Sequence, residues 1–109
     1  MNLSKIVEIG RMMDLYSSLL TAKQTQVLNS YVNFDGSLSE IAEELGVTRQ
    51  AVADLVKRSI AKLYELEKNL GLCAKLDKIC NLIPQKCKNF GLNEKQTAEI
   101  IDLVKMVED

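Results

Sequence analysis

Polar and basic side chains that can make directional hydrogen bonds are concentrated in one short part of this 109-residue sequence. The candidates are Thr48, Arg49, Gln50, Asp54, Lys57, Arg58 and Lys62, together with Ala53, an apolar residue at an outward position among them. A guanidinium can bridge guanine O6 and N7, an amide can pair with adenine N6 and N7, and an ammonium suits a phosphate oxygen. Arg49 and Gln50 therefore suit base edges. The side chains that suit phosphates are Lys57, Arg58 and Lys62. Together these residue types favour contact with double-stranded DNA.

Asp54 is the exception among the candidates. A carboxylate that faces DNA repels phosphate unless it accepts a hydrogen bond from cytosine N4 or orients a neighbouring arginine. Simple solvation also accounts for each basic residue taken alone, because long helices often carry charged side chains on their solvent face. The pattern of apolar residues around the candidates indicates whether they contact DNA or are merely solvated.

The segment from Leu38 to Lys57 has the spacing of two helices that cross steeply over a short turn. Ala42 is small where the helices would touch, and Gly46 stands where the turn needs a positive φ. The shared core is predicted from Ile41, Leu45, Val47, Val52 and Leu55. An ordinary helical hairpin is the alternative. In a helix-turn-helix, the N-terminal part of the second helix would enter the major groove of DNA.

The rest of the chain also has helical periodicity. Runs of β-branched and aromatic residues bounded by turns are missing, so the sequence predicts an all-α protein. Apolar spacing and capping residues predict helices over 4–20, 22–33, 38–45, 49–70 and 72–83, and a last helix that Asn93 and Gln96 cap. Pro84 is expected to end or kink its helix, and residues 85–92 to form a loop. Two units are predicted, a helix-turn-helix domain over 1–71 and a helical C-terminal extension over 72–109.

The net charge hides an uneven distribution. The chain has 14 Lys and Arg against 15 Asp and Glu, which excludes a uniformly basic protein that coats nucleic acid. Residues 48–92 hold nine basic and four acidic side chains, residues 1–47 hold three and six, and residues 93–109 hold two and five. The basic block contains the candidate residues. We therefore expect weak, salt-sensitive binding of DNA away from a specific target.

Residues that would support catalysis or a metal site are scarce. The sequence has no His, and therefore lacks the commonest general base and metal ligand, and it has no glycine-rich phosphate loop. Cys73, Cys80 and Cys87 are spaced by seven, which on one helix separates neighbours by about 10.5 Å along the axis, too far for a disulfide. We expect no enzymatic activity, no cofactor and no metal. Free thiols, and apolar stretches shorter than the ~20 residues that span a bilayer, predict a cytoplasmic protein without a membrane partner.

Three stretches of the sequence resemble one family. They are Leu19-Leu-Thr-Ala-Lys-Gln24, Ser37-Leu-Ser-Glu-Ile-Ala-Glu-Glu-Leu-Gly-Val-Thr-Arg-Gln-Ala-Val52 and Lys57-Arg58. In this order they resemble the YlxM-like family of small bacterial proteins, which is similar to region 4 of sigma-70-type factors. The resemblance covers roughly residues 5–70. It implies an all-α fold of the sigma-70 region 4-like, winged-helix-like DNA-binding class, followed by an extended helical C-terminal segment. This sequence has Ala53, Asp54 and Leu55 where the family usually has an aromatic residue followed by Asp-Asn.

Two functional hypotheses follow. The first is a DNA-binding regulator that uses the helix-turn-helix over 38–57. Family members are typically encoded beside the genes of the signal recognition particle GTPase, so the resemblance also implies a link to that pathway. The second hypothesis is an interaction module that contacts the signal recognition particle, its RNA or RNA polymerase. The apolar stripes exceed what a compact three-helix core needs, which predicts a two-fold dimer.

Overall fold

The computed structural model describes residues 2–33 and 36–108, and within these ranges it contains helices and turns but no strand. Its helices are α1 (Leu3–Tyr16), α2 (Ala22–Leu28), α3 (Leu38–Leu45), α4 (Arg49–Leu70), α5 (Leu72–Asn89) and α6 (Glu94–Lys105). A 3-10 turn at Ser17–Leu19 follows α1, a π-helical turn at Asn29–Asn33 follows α2, and a second 3-10 turn at Met106–Glu108 follows α6. The all-α class is therefore confirmed.

Side-chain caps fix where five of the described helices begin, all except α5. Thr21 and Gln24 form a reciprocal capping box at α2, with bonds of 3.1 and 2.9 Å, and Asn93 and Gln96 form another at α6, with bonds of 2.8 and 2.9 Å. The Ser37 hydroxyl accepts the Glu40 N–H at 3.1 Å at the start of α3. Each cap satisfies a backbone donor that the first helical turn leaves unpaired. The capping residues identified in the sequence are confirmed.

Helices α1 to α4 enclose the main core, with α4 packed against each of the other three. The largest side chains that this core buries almost completely are Ile9, Met12, Tyr16, Val27, Leu28, Val52 and Leu63. The 22 residues of α4 make it about 33 Å long, so it runs from the turn after α3 to the base of α5. One rigid helix therefore connects the candidate residues to the C-terminal part of the chain.

Two predicted helices are less regular than expected. The prediction of one helix over 4–20 is wrong at its end, because α1 stops at Tyr16 and a 3-10 turn closes with the Leu20 N–H bonded to the Ser17 carbonyl at 3.1 Å. Serines compete for backbone hydrogen bonds, which weakens a continuing helix at that point. The second helix reaches Asn33 as predicted, although its last five residues are π-helical. The predicted stop before Asp35 lies outside the described residues.

The predicted loop over 85–92 is wrong for residues 85–89, which are helical, and only residues 90–92 form a turn. α5 continues through Pro84 to Asn89, although proline cannot donate to the carbonyl four residues earlier. Leu76 and Cys87, on either side of Pro84, are both buried, so packing of this helix face outweighs the local cost of the proline. The helix ends where the Leu92 N–H bonds the Cys87 carbonyl at 2.9 Å and Gly91 adopts a φ of 76°. That pattern is the left-handed C-terminal cap that glycine favours.

α5 and α6 form an antiparallel hairpin that is tied back to α1 by one arginine. The Arg11 guanidinium binds Asp77, near the start of α5, at 2.5 Å and Glu108, after the end of α6, at 2.9 Å. The molecule is elongated, with extents of 59 × 26 × 23 Å and a radius of gyration of 17.6 Å. A compact domain of this length would have a radius of gyration of about 13 Å. Across the described ranges, none of the helices combines the length and apolar character that membrane crossing needs.

Candidate nucleic-acid interface

The turn between α3 and α4 has the geometry that the sequence predicts for a helix-turn-helix. Gly46 caps α3 with φ 66° and ψ 33°, and the next N–H, that of Val47, bonds the Ala42 carbonyl at 3.0 Å. Ala42 is itself buried, which lets the two helices approach closely. A β-carbon at Gly46 would meet no atom within 4 Å, so only the positive φ requires glycine there.

The core of the motif is close to the predicted one. Ile41 and Val52 are buried, and Leu45 and Leu55 are half-buried. Val47 is the exception, because its side chain is exposed and lies at the rim of a groove rather than in the core. It follows the left-handed cap directly and precedes α4, so neither helix carries it inward. The prediction that Val47 belongs to the shared core is wrong.

Most of the candidate residues lie together on the solvent side of α4. The exposed ones are Arg49, Gln50, Asp54, Lys57 and Arg58. Gln50, Asp54, Lys57 and Arg58 lie on the side of α4 away from the buried Val52, Val56 and Leu63, whereas Arg49 is exposed because it is the first residue of the helix. The first three turns of α4 therefore present three cations, one amide and one carboxylate to solvent.

Two of the candidate residues have structural roles in the protein. The Thr48 hydroxyl accepts the Ala51 N–H at 3.1 Å and so caps α4. Ala53 is half-buried and lines an apolar cleft with Tyr31 and Leu38. Thr48 keeps one hydroxyl proton to donate, whereas Ala53 offers only a methyl group. Any contact that Ala53 makes with a partner must therefore be apolar.

Asp54 has a partner on its own helix. The Gln50 amide nitrogen donates to the Asp54 carboxylate at 3.1 Å, across one helical turn. The structure therefore supplies a third explanation for this carboxylate, beyond the two that the sequence suggested. The bond holds the Gln50 side chain along the helix, and it leaves the amide oxygen and one amide hydrogen available to a ligand.

Lys62 lies at the far edge of the candidate surface. Its ammonium is 3.9 Å from the Glu65 carboxylate, a weak ion pair between partly exposed side chains. Lys23, which sequence reasoning did not select, lies at a groove that Arg58 also lines, between α2 and α4. The signal for it was present in the Leu-Thr-Ala-Lys-Gln stretch, but nothing in the periodicity places α2 beside α4. Lys23 extends the basic surface beyond α4.

The other end of α4 is fastened by a hydrogen-bonded carboxylate. Glu67 accepts hydrogen bonds from the buried Tyr16 hydroxyl at 2.7 Å and from the Cys73 N–H at 3.0 Å. The Ala74 N–H adds a third at 3.3 Å, and the Leu72 N–H donates to the Tyr16 oxygen at 3.1 Å. Glu67 thus caps the first turn of α5, where partial positive charge favours an anion. We call this arrangement the Glu67 cap.

The Glu67 cap changes the pKa values of its members. Burial opposes ionisation of Glu67, but hydrogen bonds from Tyr16 and the α5 backbone outweigh it, so the pKa of this carboxyl lies below the ordinary value. Burial, followed by the bond to Glu67, raises the pKa of Tyr16 to about 12. Burial and the nearby carboxylate raise the pKa of the Cys73 thiol to about 11. The tyrosine and the thiol are therefore neutral at physiological pH.

The three cysteines lie on one continuous helix, α5, as free thiols. Cys87 is buried and the other two are half-buried, as is usual for free cysteines that pack as small apolar side chains. Within residues 2–33 and 36–108, no three side chains of the His, Cys, Asp or Glu type come together as metal ligands would.

Comparison with known proteins agrees with this geometry. Residues 3–104 match the family described as "Putative helix-turn-helix protein, YlxM / p13 like". The UPF0122 protein YlxM of Bacillus subtilis is 38% identical over 108 residues, which cover 99% of this chain and 97% of that protein. A UPF0122 protein of Halalkalibacterium halodurans is 45% identical over 83 residues, 76% of each chain. A relative from Fusobacterium nucleatum is 46% identical over 70 residues, 64% of this chain and 68% of that protein. This chain therefore belongs to the YlxM / p13-like family of helix-turn-helix proteins.

Proposed function

We propose that the protein is a DNA-binding regulator that reads double-stranded DNA with the first three turns of α4. The observation that carries this proposal is the exposed surface of the N-terminal half of α4, which follows a left-handed Gly46 turn and presents Arg49, Lys57 and Arg58 to solvent. In helix-turn-helix proteins the corresponding face of the second helix lies in the major groove. Membership in the family supports the same assignment.

The side chains divide by the contact that each can make. Arg49 and Gln50, at the N-terminus of α4, are placed to reach base edges, and Thr48 has a hydroxyl proton to donate beside them. The phosphate contacts belong to Lys57, Arg58 and Lys62, and we add Lys23, because it lies at the same groove as Arg58. Asp54 positions the Gln50 amide through their 3.1 Å hydrogen bond. Ala53 contributes apolar surface to the helix.

The test is selection of binding fragments from a random DNA pool, followed by titration of the selected duplex. Arg49→Ala is expected to relax the preference for one base and to weaken binding by about 1–3 kcal/mol. Lys57→Ala should weaken binding to selected and unrelated duplexes equally, because phosphates are common to both. Lys68→Ala, an exposed lysine in the last turn of α4, is the matched control. Unchanged binding by the Arg49 and Lys57 variants would show that α4 does not read DNA.

A second candidate function has its own supporting observation. The chain is slightly acidic overall, and the carboxylate of Asp54 lies on the presumed reading face. Both features weaken attraction to DNA phosphates, and the family resemblance implies two other partners, the signal recognition particle and RNA polymerase. We propose as the alternative that this face binds a component of the signal recognition particle or RNA polymerase. Binding to purified particle protein or polymerase after nuclease treatment, without any selected DNA sequence, would favour it.

The proposed regulator acts in the cytoplasm, where DNA is available and free thiols persist. It has no catalytic role in this proposal. We further propose that it acts as a dimer of two identical chains, because two helix-turn-helix units related by a two-fold axis would contact paired half-sites about 34 Å apart on one side of DNA. A monomeric complex with a single half-site, measured by the mass of the protein–DNA complex, would contradict this part of the proposal.

A further inference from the structure

The hairpin of α5 and α6 buries little of its own apolar surface. Among its described residues, α6 has none that is fully buried, and α5 has only Leu76 and Cys87. Other apolar side chains of the hairpin are well exposed, Ile79 at 45%, Leu82 at 51%, Leu103 at 66% and Val107 at 59%. Contiguous exposed apolar surface of this kind marks an interaction site.

The exposed apolar side chains share one side of the hairpin. Lys88 and Ala98 line a groove on the opposite side, between the end of α5 and the start of α6. At 100° per residue, Ile79 lies about 180° around α5 from Lys88, and Leu103 lies about 140° around α6 from Ala98. We define the apolar hairpin face as Ile79, Leu82, Ile100, Leu103 and Val107.

The remainder of the chain leaves the apolar hairpin face uncovered. Arg11 of α1 binds Asp77, which lies about 160° around α5 from Ile79. α1 therefore reaches the hairpin at Asp77 and at Glu108, and it leaves Ile79 and Leu103 exposed. An 18-residue helix is about 27 Å long and about 10 Å wide. If the two-helix faces of two copies pack together, the total surface that they bury is on the order of 1,000 Å², the lower bound for a specific interface.

Charged side chains on the face and beside it indicate the partner, since Lys86 lies about 20° around α5 from Ile79. The described part of α5 carries Lys75, Lys78, Lys86 and Lys88 against a single carboxylate, Asp77. α6 and the 3-10 turn after it carry four carboxylates against two lysines. Glu99 lies about 40° around α6 from Leu103. One copy of the hairpin therefore offers a basic helix and an acidic helix side by side. A second copy offers the complementary pair.

We propose that the apolar hairpin face binds the same face of a second copy of this chain, with α5 of one copy opposite α6 of the other. A two-fold axis parallel to the helices produces this pairing and keeps each residue at its own height along the axis. Lys86 lies about 4.5 Å below the end of α5, and Glu99 about 7.5 Å below the start of α6. The two residues from different copies therefore come within reach of each other. The alternative two-fold, perpendicular to the helices, would place the lysines of both α5 helices together.

This arrangement deepens the proposed dimer but does not depend on DNA. Both hairpins point the same way, so the two copies of α4 lie at one end of the assembly. That is the disposition that a pair of half-sites on one side of DNA requires. The interface can therefore be tested without DNA, and DNA reading by α4 can be tested without assuming the interface.

The first test is sedimentation equilibrium of the full chain between 1 and about 100 µM, a range chosen for an interface of this small size. The wild-type chain is expected to dimerise. Leu103→Glu should raise the dissociation constant about 100-fold or more, because it places a charge in apolar surroundings. Leu19→Glu, which alters an equally exposed leucine outside the hairpin, is the control and should dimerise as the wild type does. A monomeric wild type, or unchanged dimerisation of Leu103→Glu, would overturn the proposal and leave the face to a different partner.

A charge exchange tests the pairing of the helices and does not depend on how Leu103→Glu folds. Lys86→Glu and Glu99→Lys are each expected to weaken dimerisation about 5-fold, and the double variant should return to within about 2-fold of the wild type. Lys88→Glu, on the groove side of α5, is the matched control. Failure of the double variant to recover would overturn the pairing of α5 with α6. The DNA titration of the Arg49 and Lys57 variants does not depend on the outcome of either dimerisation experiment.

Discussion

At the scale of single residues, Glu67 connects the end of α4 to the start of α5 and to α1, which is distant in sequence. Its carboxylate accepts hydrogen bonds from Tyr16 of α1 and from two backbone N–H groups at the start of α5, and it belongs itself to α4. Hydrogen bonds to an ionised acceptor are worth more than neutral ones, about 1.5–3 kcal/mol each. The spacing of the sequence gives no hint of this connection, because the three donors follow neither a helical nor a capping-box interval from Glu67.

Tyr16→Phe is expected to lower the free energy of unfolding by about 1–3 kcal/mol. The ring would still fill its buried site, but Glu67 would lose a donor and the Leu72 N–H would lose its acceptor. Urea unfolding followed by circular dichroism measures the change. Tyr64→Phe is the matched control, since the Tyr64 hydroxyl donates to Glu8 at 3.1 Å on the surface. Its removal should lower the free energy of unfolding by well under 1 kcal/mol. Equal losses for the two variants would contradict the importance of the Glu67 cap.

The stabilising contribution of the ionised Glu67 carboxylate should also be visible in the pH dependence of the free energy of unfolding. Its folded pKa lies below the ordinary value of 4.5, so its contribution is present above pH 4.5 and is lost as the pH falls through the folded pKa. The difference in unfolding free energy between the wild type and Glu67→Gln should therefore be constant near neutral pH and shrink below pH 4.5. Glu65→Gln controls for the loss of one negative charge on the same helix. A difference that stays constant down to pH 3 would contradict this assignment.

At the scale of helices and turns, two glycines with equally open surroundings should respond to alanine with opposite signs. Gly10 lies inside α1 and Gly46 caps α3 with φ 66°, and a β-carbon at either would meet no atom within 4 Å. Gly10→Ala should stabilise the protein by about 0.5–1 kcal/mol, because alanine loses less freedom in a helix. Gly46→Ala should destabilise it by about 1–2 kcal/mol, the cost of a left-handed residue with a β-carbon. Urea unfolding of both variants tests the pair, and the same sign for both would contradict the assigned backbone conformations.

The local signals in the sequence predicted most helix boundaries and missed those that packing decides. Thr21, Ser37, Thr48 and Asn93 mark helix starts because a cap involves only residues three positions apart. Pro84 predicted a helix end that the structure does not have, since the burial that keeps α5 continuous depends on contacts that periodicity does not contain. For the candidate site, helical spacing identified the solvent face of α4. Lys23 was missed because its place beside Arg58 follows from the packing of α2 on α4.

At the scale of the whole molecule, the distribution of charge matters more than its total. The net charge is −1, yet the proposed DNA surface combines Lys23, Lys57, Arg58 and Lys62, while acidic residues predominate at both ends of the chain. Each phosphate that a cation neutralises releases counterions from DNA, so affinity falls with salt in proportion to the number of contacts. The salt dependence of DNA affinity therefore indicates how many copies of this surface contact DNA.

For the wild-type protein on a paired site, the slope of log affinity against log salt is expected to be about −7, from four phosphate contacts in each of two copies. The dimer-disrupting Leu103→Glu variant should give about half that slope, because only one copy binds. Fluorescence anisotropy between 50 and 300 mM salt measures both values, with Leu19→Glu as the control. Equal slopes for the wild type and Leu103→Glu would indicate that one copy binds DNA in both cases.

The uninterrupted length of α4 sets the rotational phase between the two ends of the protein. Its first turns carry the candidate surface, and its last turns, fastened by the Glu67 cap, orient the hairpin. One inserted residue would turn the hairpin by about 100° about the helix axis and shift it by about 1.5 Å. Two proposed surfaces would then face different directions although neither had been altered. The number of residues in α4 thus fixes the orientation of the dimer interface relative to the DNA surface. Only insertions or deletions of about seven residues, two helical turns, would preserve that orientation.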